Sequence, residues 1–357
     1  MIELQAWMQR AALFAGAALM MSSTAAAGEV RFNGEGHAQN PVWSLDGKYV
    51  AFEVNRFAGS IDLFFAKMGG DVAGDASKVS LPGGGSAFGP SNQVVINPSW
   101  HPQGIAVFEG SNQGGEYRLY YAKPDGAAAA EMLTNALAPG GLAFPTISPD
   151  GNMLAFISSQ SGNGDIRAWN RATNQVAQLT STDSTEVFPQ YNADGKRILF
   201  TRKKDHSEDI FEIAADGSER AVAGGDGDQT RPTYGAGDRV VYFNSGANDT
   251  WDLAEMDGTS RTVLARGVRL PQRARPALSP DGQWVAYTYD DPTKNTYIEL
   301  KRLDGTKTVK VTTQFTVCGE PAIGVQGGRV LLAYTALPSS GSDWRFLYVE
   351  DITSKLQ

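Results

Sequence analysis

The chain has 357 residues, a net charge of −8 and one cysteine, Cys318. An acidic chain without lysine or arginine clusters excludes nucleic acid as a partner, and one cysteine excludes an internal disulfide framework. With 40 Gly and 17 Pro, the composition favours short strands and turns over helices.

Residues 11–21, AALFAGAALMM, form an apolar run too short to span a bilayer, followed by SSTAAA with small residues at Ala25 and Ala27. That pattern predicts a secretory signal peptide over residues 1–27, cleaved after Ala27. The opening MIELQAWMQR carries Glu3 and a single base, Arg10, which suits an n-region poorly; a start at Met8 gives a conventional one. No cysteine follows the cleavage site to carry a lipid, and no later apolar run is long enough for a membrane helix. The mature chain, residues 28–357, is expected to be exported, periplasmic and not membrane-spanning.

From there one hairpin recurs at intervals of about 45 residues. Its copies are PVWSLDG from Pro41, PSWHPQG from Pro98, PTISPDG from Pro145, PQYNADG from Pro189, PTYGAGD from Pro232, PALSPDG from Pro276 and PAIGVQG from Pro321. Proline suits the first residue of a strand, where no ladder bond is lost. The Asp-Gly pair supplies the positive φ of a tight turn. The next strand ends on an aromatic each time: Phe52, Phe108, Phe156, Phe200, Phe243, Tyr287 and Tyr334. A third strand follows, as in IDLFFAKMGG and DIFEIAADG, then a shorter fourth, as in VAQLT and ERAVA. Four short strands per repeat predict an all-β, seven-bladed propeller. The last repeat lacks room for its fourth strand, so Glu29–Asn33 is expected to complete that blade and close the ring, removing an unpaired edge.

The hairpin, the apolar strand after it and the closing strand resemble the TolB-type propeller repeats. The resemblance is carried best by residues 145–182, PTISPDGNMLAFISSQSGNGDIRAWNRATNQVAQLTST, and extends over essentially the whole mature chain. It implies a periplasmic propeller. Two departures separate this chain from TolB itself, which carries an α/β domain ahead of six blades. Here seven repeats are counted, and the first strand begins almost at once.

Motifs for known chemistry are missing: there is no G-x-S-x-G, P-loop or HExxH, and GGGSAFG at 83–89 has the wrong spacing. His37 and His206 fall on one face of the expected ring and His101, in a hairpin, on the other, so they do not converge on a metal. Cys318 reads as a small buried group. Asp226 and Asp228 in GGDGDQT lack the remaining ligands of a calcium loop. No catalytic residue, cofactor or metal ligand is assigned.

The segments just before each proline converge at the channel mouth. The rim expected to meet a partner comprises His37, Glu186, Phe188, Asp228, Arg231, Arg273, Arg275 and Glu320. Arginine forks suit a carboxylate or a partner loop, and loops on a rigid scaffold commonly carry function. The expectation is a monomeric, non-catalytic scaffold that docks an envelope protein or peptide over the channel. The alternatives are a channel-sited enzyme (a lyase or lactonase-like hydrolase) and a carbohydrate- or peptide-binding module.

Overall fold

A computed structural model describes residues 28–357 apart from 33–34, 57–58, 70–71, 83–92, 113–114, 126–129, 134–139, 247–249, 291–294, 312–314, 316 and 339–342. The leader expected over residues 1–27, Asn33 and the GGGSAFG stretch lie outside the described residues. Helix is confined, among the described residues, to a 3-10 turn at Ala236–Asp238 and to Thr353–Leu356. No described helix is long and apolar enough to cross a membrane.

The strands pair antiparallel in consecutive groups of four. His37–Trp43, Tyr49–Asn55, Ile61–Gly69 and Val72–Lys78 form the first group in that order. The same order restarts at Gln93–Trp100, Leu142–Ile147, Thr185–Tyr191, Gln229–Tyr234 and Ala277–Leu278. The final group takes Cys318–Gln326, Arg329–Ala336 and Phe346–Asp351 from one end of the chain and Gly28–Val30 from the other. Glu29 pairs with Tyr348, and the next residues bind the first group, where Ala76 donates its N–H to the Arg31 carbonyl (2.7 Å).

Apolar side chains fill the space between successive groups rather than one central core. Phe52, Phe108, Phe156, Phe200 and Tyr334 are fully buried, and Phe243 and Tyr287 nearly so. Val30, Trp43, Phe52 and Phe64 pack with Leu331 and Leu347, joining the first group to the last. The Trp43 indole donates to the Ala322 carbonyl of the last group (3.0 Å), and Trp100 donates to Val42 of the first (3.2 Å).

The Asp-Gly turns are closed by side chains. In the third copy Ser148 Oγ donates to Asp150 and accepts the Met153 N–H (2.9 Å), while Asp150 accepts the Asn152 N–H (3.0 Å). These bonds hold the Asp150 carboxyl below the usual carboxylate range. The prolines sit otherwise than expected. Six of the seven lie inside the first strand, at a register shift, as between Gln39 and Val42 or between Gly319 and Ala322. A bulge already lacks one ladder bond, so proline costs nothing extra there. Only Pro276 precedes its strand, which is just Ala277–Leu278.

Candidate functional site at the bulged strands

At each of the six bulges the residue before proline adopts a left-handed φ: Asn40, Asn97, Phe144, Phe188, Arg231 and Glu320, all between +49° and +55°. For side chains as bulky as Phe or Arg this costs about 1–3 kcal/mol each and persists only where surrounding bonds enforce it. The freed amides supply several of those bonds. The Asn97 N–H goes to Glu53 Oε1 (2.9 Å), Phe144 N–H to Glu109 Oε2 (3.2 Å) and Arg231 N–H to Thr201 Oγ (3.2 Å). Each acceptor belongs to the second strand of the preceding group. Asn40 donates instead to Glu320 of the last group.

These acceptors were missed from the sequence, although a signal existed. Glu53, Glu109, Thr201, Asn244, Thr288 and Thr335 each directly follow the buried aromatic of their strand, and all are buried. A polar residue next to a core aromatic in a central strand needs partners. Glu53 has four: Gln39 (2.9 Å), the Asn40 side chain (2.7 Å), the Asn97 amide and Arg273 (3.0 Å), which arrives from the sixth group. Glu109 accepts from Asn97 Nδ2 and the Phe144 amide, yet burial dominates and pushes its carboxyl up to about 8.

Of the expected rim residues, Phe188, Arg231 and Arg275 come together. Both guanidinium groups lie over the Phe188 ring, at 5.4 and 5.7 Å, and Phe144 meets that ring edge-on at 4.9 Å. Arg231 donates to the carbonyls of Pro271 and Gln272, and Arg275 to those of Pro232 and Pro189. Desolvation lowers Arg231 to about 10 and Arg275 to about 9; both remain charged at neutral pH. Arg273 lies on the same segment and reaches Glu53. Glu320 sits nearby, its carboxyl raised by burial.

The other three are separate. Glu186 is fully buried, held by Arg202 (2.8 Å), Thr180 and Thr182 (both 3.0 Å). Asp228 accepts the Glu208 N–H (3.1 Å). His37 accepts the Arg345 N–H (3.2 Å), and burial followed by the Arg345 charge holds its imidazole below the ordinary value. His101 contacts the Gly151 carbonyl (3.1 Å) among the hairpin turns, and Cys318 is buried. Among the described residues no three His, Cys, Asp or Glu side chains are grouped so as to hold a metal.

Two cavities open here. One of about 640 Å³ runs from Phe144, Phe188, Arg273 and Arg275 towards Trp43 and Trp100 beside the hairpins. A second, of about 170 Å³, lies between the sixth and last groups, lined by Arg269, Gln272, Arg275, Glu320 and Arg345.

Solved structures with the same fold differ in what they do. TolB from Acinetobacter baumannii is 21% identical, with 78% of this chain and 67% of that chain covered at a TM-score of 0.55. An oligogalacturonate lyase from Vibrio parahaemolyticus is 12% identical, with 93% of both chains covered at 0.58. A puromycin-hydrolyzing peptidase from Mycobacterium tuberculosis is 14% identical, with 92% of this chain but 55% of that one covered at 0.59. At such identities the likeness concerns the fold alone. The TolB beta propeller domain family matches residues 131–327, more than half the chain and five of its hairpin copies in full. With its strand quartets and recurring Pro-to-Gly hairpins, the chain belongs to the TolB beta propeller family.

Proposed function

We propose that the mature chain, residues 28–357, is a ring of seven four-stranded blades closed by Gly28–Val30 against Phe346–Asp351. It is exported to the periplasm by the leader at 1–27 and works there as a monomeric, non-catalytic scaffold, docking an envelope protein or peptide over the channel rim. The observation that carries this reading is the rigidity of the rim. Arg231 and Arg275 clamp carbonyls of other strand groups while stacking on Phe188, and Arg273 is held by Glu53. A surface ordered before binding loses little entropy on docking.

Cross-linking in the periplasm followed by purification tests it, comparing wild type with the double variant Arg273→Glu, Arg275→Glu and checking both by circular dichroism. Loss of an envelope protein from a variant that remains folded supports the rim. Equal recovery from both rejects it.

A second reading, an enzyme with its site in the channel, is favoured by one feature. Glu109, which keeps its proton at neutral pH, neighbours the Arg273-paired Glu53, and carboxyls in contrasting environments are the pattern of an acid–base pair. Both are almost sealed from solvent, which weighs towards a bracing role. Elemental analysis with melting curves in added divalent metal separates the readings: a tightly held channel ion favours the enzyme.

A further inference from the structure

We propose that the smaller cavity is an anion site that takes one carboxylate, gripped by Arg345 and Arg269. Resting on the scaffold reading, we assign that carboxylate to an acidic side chain or chain end of the docked partner.

The cavity has a structural cause. Six groups begin with a bulged strand of six or more residues, whereas the sixth has only Ala277–Leu278. Arg269 still donates its N–H to the Thr288 carbonyl (2.9 Å), but the segment after it, from Leu270 to Arg275, leaves the ladder and lines the opening instead. Three arginines, Arg269, Arg275 and Arg345, therefore line about 170 Å³ with one acidic residue, Glu320, among them.

Their bonding is uneven. Arg275 is occupied by two carbonyls, and Arg269 meets Asp290 only at 3.4 Å, in an exposed pair. The Arg345 guanidinium has no hydrogen bond or ion pair to a described residue, although its backbone is pinned. Its N–H donates to His37 (3.2 Å), and its carbonyl accepts the Ala38 N–H (2.9 Å). Arg345 is thus a half-buried cation on a fixed backbone beside Arg269, whose charge pushes against it. In a chain of net charge −8 a cluster of three arginines, met among the described residues only by Glu320 and the exposed Asp290, is an exception that an anion would relieve.

Size and charge select the anion. A cavity of roughly 150 Å³ holds a benzene-sized molecule, so this one accepts a carboxylate on two or three carbons. Glu320 in the wall disfavours a dianion such as phosphate. The planar guanidinium fork matches a carboxylate in two-point contact.

The test is an NMR titration of the arginine Nε–Hε resonances of the whole mature protein with three probes. N-acetylglycine presents a chain-end carboxylate, N-acetylglutamate α-methylamide a side-chain one, and inorganic phosphate the competing anion. At least one carboxylate should bind saturably, with the tighter one naming the source. Arg345→Gln and Arg269→Gln should each weaken it about tenfold or more, while Arg171→Gln, beside the hairpin turns, should not. Arg269→Gln, at an exposed position, covers the case in which Arg345→Gln melts early. No saturable carboxylate binding, binding untouched by both variants, or tighter binding of phosphate would each overturn the site. If the probes bind but no partner is recovered by cross-linking, the anion site stands and the scaffold falls. If a partner is recovered but the probes do not bind, the anion site falls.

Discussion

A Cβ added to Gly324 would lie 2.3 Å from the Trp43 ring, so the last hairpin needs glycine at a position where five copies carry serine, histidine or asparagine and one, at Gly235, glycine. Gly324→Ala should destabilise by about 1–3 kcal/mol through overpacking, seen as a lower midpoint in urea with an unchanged slope. Arg202 carries a different burden, since among the described residues it is the only cation within ion-pair distance of the fully buried Glu186. Arg202→Met should cost about 3–5 kcal/mol by leaving that charge uncompensated. Pairing it with Glu186→Gln should restore much of the loss, and a double-mutant cycle by chemical denaturation measures both. Residues with one steric or turn role, such as Phe52 or Asp150, were legible in the sequence because each copy repeats them. Glu53 and Glu109 were not. The equivalent position holds isoleucine, threonine or asparagine elsewhere, and its purpose depends on where a neighbouring group aims a freed amide.

At the scale of the strand, the repeat period and the four-strand unit were readable because proline, the turn glycine and the aromatic mark each hairpin. The bulge was not readable, since proline permits either a strand start or a bulge. That choice decides which backbone groups face the neighbouring strands. The sixth group departs from the rest, and its sequence PALSPDG gives no warning, because the missing bulge lies upstream of the proline. The strand Gly28–Val30 matters beyond its length: Val30 is fully buried and Phe32 packs against Phe52, Phe64 and Phe346. Removing residues 28–32 should lower the melting temperature by several degrees and leave Phe346–Asp351 an open edge. Calorimetry and light scattering on the shortened chain report the two effects separately.

For the whole molecule, stability should depend on pH through Glu109. Its carboxyl titrates near 8 when folded and near 4.5 when unfolded, so protons bind the native state more tightly. This contribution is complete below the unfolded value and is lost as pH rises through the folded one, at up to about 1.4 kcal/mol per pH unit. Glu109→Gln should flatten the decline of melting temperature between about pH 4.5 and 8. An unchanged slope would assign the decline to other groups.

The hydroxyl of Tyr348 reaches the carboxylate of Glu29 across 319 positions of sequence (3.1 Å). A contact so remote cannot form until Tyr348 has been made, so the strand Gly28–Val30 waits for almost the whole chain before it finds its neighbour. Until then both mates are adhesive surfaces in search of any strand, and assembly is most exposed to misjoining between molecules just before it finishes.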